Sequence, residues 1–271
     1  MPRLAVLGAP LRYTRSPDLH RAGLAALGLT GDSRALRTPV AELGARLVSL
    51  VEEGVTGVNL THPLKEAAMS HLKRVSPEAA KARSVNTIGW SAEGAWGDST
   101  DGPGFLDWLR HLGRDPARER VLLFGAGGAA RSITLALEGA GAEPVRVAVR
   151  SESTAARRQA WEQIQSARVE LAGEAAIDRA LAEWATVVVN ATPLLGPPGP
   201  RDARTLPGGR LVLDLVYGET PTAWVSAARE RGLDAQDGLG LLVFQARRSL
   251  SLWFGREVPI EPLMSAVGLA R

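Results

Sequence analysis

The 271-residue chain contains no cysteine. Disulfides, zinc–thiolate sites and thiol nucleophiles are therefore excluded. Lysine is nearly as scarce: Lys65, Lys73 and Lys81 are the only ones, and arginine supplies the rest of the positive charge. Aromatic residues make up 5% of the chain, and no basic run is interleaved with them, so the usual footprint of a nucleic-acid binder is missing. The formal net charge is only +3, acids are spread throughout, and the arginines read as a solvated surface. Nor is there a long hydrophobic run. The most apolar stretch, Val121 to Ala142, is broken by glycines, Arg131 and Glu138, short of the roughly 18 uninterrupted apolar residues that a membrane helix needs. The opening Met1 to Gly8 is apolar too briefly for a signal sequence and reads as a strand. These absences predict a soluble, cytoplasmic protein that acts on a small molecule, with neither nucleic acid nor membrane as partner.

With 45% hydrophobic residues the chain can bury a sizeable core, and its length fits one or two domains. The first hundred residues alternate strand and helix signals. Ser16-Pro17 predicts a helix start, with serine as N-cap and proline at the first helical position. Leu19, Gly23, Ala26 and Leu27 form the apolar stripe that follows. A second helix runs from Val40 to Leu50 and ends at Gly54. Val55 to Thr61 and Val85 to Trp90 read as strands, the latter before a Glu93-Gly94 turn. Such alternation predicts an α/β domain with a largely parallel sheet.

A second unit begins near Pro103. Val121 to Phe124 is a short apolar strand leading directly into Gly125-Ala126-Gly127-Gly128-Ala129-Ala130. A helix follows (Ile133, Leu135, Leu137), closed by Gly139 and Gly141, and then the strand Val145 to Val149, which completes a βαβ unit. Val187 to Asn190 and Leu211 to Val216 are two further strands. Leu239 to Trp253 is helix-length and too densely apolar for a surface helix, so it is expected to pack on the N-terminal domain. The predicted fold class is α/β with two domains and a cleft between them. One is an N-terminal α/β substrate domain with a mostly parallel sheet, residues 1–102 completed by 239–271. The other is a Rossmann-type dinucleotide-binding domain, residues 103–238.

The glycine loop has the G-x-G-x-x-A form in the required strand–turn–helix setting. Gly125 permits the tight turn, Gly127 lets the backbone approach a pyrophosphate, and the small Ala130 allows close helix–strand packing. Gly128 and Ala129 open a helix whose amides and dipole favour anions. An acidic residue at the end of the second strand would hold an adenosine ribose. Here Val149-Arg150-Ser151 stands instead, with Arg157 and Arg158 further along. A guanidinium and a hydroxyl suit a 2′-phosphate, which favours NADP; Glu152, as a ribose partner, keeps NAD as the alternative.

Polar residues gather at strand ends of the first domain, where α/β proteins place ligands. They are Thr14 and Ser16; Asn59, Thr61 and Lys65; Asn86 and Thr87; and Ser99, Thr100 and Asp101, the last read as N-cap of the helix at Pro103. Together they predict a pocket of hydroxyls and amides with one ammonium and one carboxylate, suited to a polyhydroxylated acid. Lys65 and Asp101 are expected on opposite sides of the domain junction.

The chain resembles the shikimate dehydrogenase family nearly end to end. The family's G-x-P and H-S-x-S-P-x-x-H resemble Gly8-Ala9-Pro10 and Tyr13 to His20. N-V-T-x-P-x-K-E resembles Asn59 to Glu66, A-V-N-T resembles Ser84 to Thr87, and N-T-D-G-x-G resembles Ser99 to Gly104. G-A-G-G-A stands at Gly125 to Ala129, N-A-T at Asn190 to Thr192, the aspartate-to-tyrosine strand end at Asp214 to Tyr217, and D-G-L-G-x-L-V-x-Q at Asp237 to Gln245. The resemblance implies reversible reduction of 3-dehydroshikimate by NADPH in aromatic amino-acid (chorismate) biosynthesis. It implies Lys65 as catalytic lysine with Asp101 beside it, and Thr14, Ser16, Thr61, Asn86, Tyr217 and Gln245 as substrate contacts. Thr192, Val216, Gly238 and Leu241 join the glycine loop, Arg150 and Ser151 on the cofactor side, Val216, Gly238 and Leu241 flanking the nicotinamide.

Three departures from the family pattern stand out. Tyr13-Thr14 replaces a His-Ser pair, Ser99 an asparagine, and Val149 the asparagine at the cofactor-selecting strand end. They keep a quinate/shikimate dehydrogenase using NAD or NADP as an alternative; an alternative of another class is a non-catalytic sensor of shikimate-like ligands, against which the intact Lys65 and Asp101 argue. Both a monomer and a homodimer are compatible with the sequence.

Overall fold

Strand β1 (Arg3–Gly8) is buried at every residue after the first, and the N-terminal fold is built outward from it. The computed structural model describes residues 1–11, 13–149, 161, 164, 168–171, 174–193 and 199–269. The chain divides into two units, Met1–Phe105 with Leu242–Arg271, and Leu106–Leu241. The helices used below are α1 (Ser16–Ala26), α2 (Leu43–Glu52), α3 (Leu64–Ala67), α4 (Pro77–Ala82), α5 (Asp101–His111), α6 (Gly128–Gly139), α7 (Glu174–Glu183), α8 (Ala223–Glu230), α9 (Leu239–Phe254) and α10 (Ile260–Ala266). The unit boundaries fall inside α5 and α9. Among the described residues, no helix is long and apolar enough to cross a membrane.

The first unit holds a six-stranded sheet of order β2-β1-β3-β5-β6-β4, completed by β2 (Asp32–Arg37), β3 (Gly57–Leu60), β4 (Arg74–Val75), β5 (Thr87–Ser91) and β6 (Gly94–Asp98). Strand β1 runs parallel to β2 and β3, and β4 to β6, whereas β5 is antiparallel to both its neighbours. Side chains alternate across the pleat. Ala5 and Leu7 of β1, Val58 and Leu60 of β3 and Ile88 of β5 share one core with Leu43, Leu47 and Leu50 of α2. The intervening Gly57, Asn59 and Thr87 face the other way, where Trp253 of α9 lies over Gly57 and His20 of α1 meets Asn59. The alternation thus gives one face an apolar core and sets the polar Asn59 and Thr87 among the packed side chains of the other.

The second unit carries a sheet of order β12-β11-β10-β7-β8-β9: β7 (Val121–Phe124), β8 (Arg146–Val149), β9 (Arg168–Leu171), β10 (Val187–Asn190), β11 (Leu211–Asp214) and β12 (Asp234–Gln236). Each pairing in it is parallel, and β7, β10 and β11 are buried throughout, as strands covered on both faces must be. The strand order reverses beside β7, the switch point at which open parallel sheets bind ligands.

Three local predictions need correction. Arg15, not Ser16, caps α1, and Ser16 is its first helical residue. The Arg15 carbonyl accepts from the Leu19 amide at 3.2 Å, and the Thr14 hydroxyl accepts from the Ser16 amide at 3.2 Å. Asp101 is likewise the first residue of α5 and not its cap, because the Thr100 carbonyl accepts the Gly104 amide at 2.9 Å. Strand β11 stops at Asp214 short of Val216, whose amide turns back to Asp214 Oδ1 at 3.1 Å.

His20 ties α1 to the sheet. Asn59 Oδ1, 2.9 Å from Nε2, can only accept, so Nε2 carries the proton and Nδ1 accepts from the Ser33 hydroxyl at 2.7 Å. Burial pushes the imidazole down to about 4, with nearby Arg21 acting the same way and the Asn59 contact opposing. The native state therefore excludes a proton that the unfolded chain binds below its ordinary value of 6.5, and stability falls as pH drops through that window. Relative to His20→Gln, the wild type should lose about 2–3 kcal/mol of unfolding free energy between pH 7 and pH 4.5. Urea melts of both proteins at the two pH values check this, and the common carboxylate contributions cancel in the difference.

Candidate functional site

Lys65 lies in the short helix α3, and its carbonyl accepts the Val85 amide at 2.9 Å, which anchors it beside the loop before β5. Its Nζ is 2.6 Å from Asp101 Oδ2. The sequence expectation of the two on opposite sides of the domain junction is thus wrong: both belong to the first unit and touch directly. The Asp101 side chain is 2% exposed and that of Lys65 20%, so the lysine is the more exposed member of the pair.

Asn86 organises the other side of Asp101. Its amide nitrogen donates to Asp101 Oδ1 at 2.9 Å and to Gln245 Oε1 at 2.9 Å. Its amide oxygen accepts from the Thr100 amide at 2.8 Å and the Thr100 hydroxyl at 3.1 Å. Gln245 is brought close because Gly104 has no side chain: a Cβ there would stand 2.8 Å from the Gln245 amide nitrogen. One turn along α9, Ser249 Oγ lies 2.7 Å from Thr87 Oγ1 and accepts from Asn59 Nδ2 at 2.9 Å. Asn59 is the residue oriented by His20. A continuous buried network therefore runs from His20 to the Lys65–Asp101 pair.

Of the other residues expected on the substrate side, Thr14, Ser16 and Thr61 belong to the same unit. Thr14 donates to Ser16 Oγ at 3.2 Å. Thr61 follows β3, its amide bonded to the Leu7 carbonyl at 2.9 Å. Tyr217 belongs to the second unit, in the segment after β11.

In the second unit, β7 runs into Gly125, whose φ of +105° only glycine adopts easily, and a Cβ there would lie 3.0 Å from the Ala191 backbone. Gly127 is exposed with open space around it, and α6 begins at Gly128. This is a glycine turn opening a helix N-terminus, a setting that fits the phosphates of a dinucleotide. Asn190 Oδ1 accepts from the Thr192 amide and hydroxyl at 3.0 and 2.6 Å, and Asn190 Nδ2 donates to Asp214 Oδ1 at 2.9 Å. Asp214 also accepts from the Val216 amide and from Thr222 Oγ1, the latter at 2.7 Å. Burial pushes its carboxyl above the ordinary range, and that of Asp237 likewise. The Gly238 amide bonds the Val216 carbonyl at 3.0 Å, and Leu241 is buried in the same unit. Arg150, Ser151, Glu152, Arg157 and Arg158 lie outside the described residues.

Sequence reasoning did not single out His20, Ser249, Asn190 or Asp214 for a role. The signal for Ser249 was its i+4 spacing from Gln245 on one helix face; for Asp214, a carboxylate closing an otherwise apolar strand.

A family model described as the shikimate dehydrogenase substrate binding domain matches residues 6–88, and one described as the shikimate 5′-dehydrogenase C-terminal domain matches 238–267. The chain is 40% identical to a shikimate dehydrogenase (NADP(+)) of Thermus thermophilus, covering 94% of this chain and 93% of that protein. It is 36% identical to the enzyme of the same description from Moorella thermoacetica, covering 95% and 89%. Among solved structures it is similar to shikimate 5-dehydrogenase from Thermus thermophilus in complex with NADP(H) and shikimate, with a TM-score of 0.85 and 36% identity over 99% of each chain.

The buried pair yields a test of its own. Lys65→Ala should cost roughly 3 kcal/mol of unfolding free energy at pH 7, because it strands a desolvated carboxylate. Adding Asp101→Asn to that background should restore more than half of it. Denaturant titrations of the two single variants and the double variant measure the coupling.

Proposed function

The chain belongs to the shikimate dehydrogenase family, and from that premise we propose that Lys65 and Asp101 carry its chemistry on a substrate held by the first unit. The protein is an NADP-dependent oxidoreductase that reversibly reduces 3-dehydroshikimate to shikimate, in keeping with relatives named shikimate dehydrogenase (NADP(+)). The observation that carries the residue assignment is the 2.6 Å contact between the ammonium of a partly exposed lysine and a buried carboxylate.

Reduced NADP, when bound, supplies the hydride. As it reaches the carbonyl carbon, negative charge grows on the substrate oxygen. The Lys65 ammonium stabilises that charge and transfers a proton to it. One oxygen of Asp101 holds Lys65 and the other accepts from Asn86, which fixes the ammonium's direction. Lys65 is also the more exposed member of the pair, and a proton that its amine gives up is replaced from solvent. In the oxidation direction the same amine takes the hydroxyl proton. Thr14, Ser16, Thr61, Asn86, Gln245 and Tyr217 supply the hydroxyl and amide groups suited to a carboxylate and ring hydroxyls. Met1–Phe105 with Leu242–Arg271 is the substrate unit, and Leu106–Leu241 the nucleotide unit. There Gly125 to Ala129, Thr192, Val216, Gly238 and Leu241 receive the cofactor, with Arg150 and Ser151 assigned to its 2′-phosphate.

Wild-type protein should oxidise NADPH on addition of 3-dehydroshikimate, and shikimate should outperform quinate in the reverse direction with NADP+. Lys65→Ala should lower turnover by about 10²–10⁴-fold while shikimate binding, followed by calorimetry, persists. A Lys65→Ala variant with near-wild-type turnover contradicts the assignment. Asp101→Asn should also lose rate, through loss of a charge-assisted hydrogen bond.

A further inference from the structure

We propose that Trp161 and Arg131 are positioning residues for the nucleotide, locking the Ala126–Gly127 peptide so that its N–H faces the phosphates. The proposal rests on the reading of the second unit as the nucleotide unit. Arg131 lies in the first turns of α6 and is 1% exposed, the largest fully buried side chain among the described residues. Its Nη1 donates to the Ala126 carbonyl at 3.1 Å. Trp161 is 6% exposed, and its indole N–H, the only hydrogen it can donate, goes to that same carbonyl at 3.2 Å. Two buried donors thus converge on one main-chain oxygen in the middle of the glycine loop.

In a planar trans peptide the C=O and the following N–H point in opposite directions. Holding the Ala126 oxygen inward therefore turns the Gly127 N–H outward, on the exposed and open side of the loop. The lock is needed because Gly127 is permissive: with no Cβ, the peptide can rotate to the opposite orientation at little steric cost. Rotated, it would present a carbonyl oxygen to a pyrophosphate and replace attraction by repulsion. A carbonyl has two lone pairs, and the two donors occupy both. The glycine that lets the nucleotide approach is thus the one whose orientation the protein must restrain from behind.

Calorimetric titration of two ligands tests this. NADP+ contains the pyrophosphate, whereas adenosine 2′-monophosphate shares its adenosine end and lacks the pyrophosphate. Trp161→Phe keeps the ring and removes the N–H, and Arg131→Lys keeps the charge and shortens the reach. Each should weaken NADP+ binding about five- to tenfold, the effect of one buried hydrogen bond, and leave adenosine 2′-monophosphate unchanged. Unchanged NADP+ affinity in Trp161→Phe overturns the proposal, as does an equal loss for both ligands, which would mark general damage to the unit. Trp161→Phe alone decides the matter if Arg131→Lys does not fold. Wild-type protein that binds no NADP+ would overturn the nucleotide reading itself and the proposal with it.

Discussion

A carboxylate almost out of reach of water sets the terms for the first unit. Asp101 is 2% exposed, and a charge so placed is tolerated only when each oxygen has a partner. Lys65 meets one oxygen and Asn86 the other. Asn86 is itself fixed by Thr100 and Gln245, Gln245 sits one helical turn from Ser249, and Ser249 leads through Asn59 to His20. Each link satisfies a buried polar group that would otherwise cost about 1–3 kcal/mol. The network therefore has one low-energy arrangement, and that arrangement aims the ammonium.

The second unit repeats the principle with different parts. Asp214, also buried, gathers Asn190, the Val216 amide and Thr222, and so sets the segments that follow two neighbouring strands. Burial raises its carboxyl pKa while the three donors oppose the shift, so the hydrogen bonds do the work of keeping this group in place. Across both units, most of the residues assigned to ligand contact sit near strand ends or helix starts, Gln245 inside α9 being an exception. Buried side chains farther back decide their orientation.

Much of this was legible in the sequence, for identifiable reasons. Period-two alternation and unbroken apolar runs located β1, β3, β7, β10 and β11, because sheet burial leaves a local mark. The glycine loop was legible since the positive φ at Gly125 admits few other residues. Lys65, Asn86 and Asp101 could be named, and the family resemblance put Asp101 beside Lys65, but residue spacing alone did not give that contact. Lys65 and Asp101 are 36 residues apart and meet only through the pairing of β3, β5 and β6. The antiparallel β5 was hidden because its length and composition do not encode direction. Ser16 read as a cap since proline follows it, while the geometry gave that position to Arg15 through a backbone carbonyl that any residue carries. Trp161 stands 35 residues from the carbonyl it grips, and no spacing rule marks such a partner.

A crystal structure of the protein with shikimate bound tests the central claim most directly. The account predicts Lys65 Nζ within about 3 Å of the ring hydroxyl that is oxidised, still bonded to an Asp101 held by Asn86. Shikimate seated elsewhere, or seated there with the ammonium turned to solvent and no contact to that hydroxyl, would contradict it.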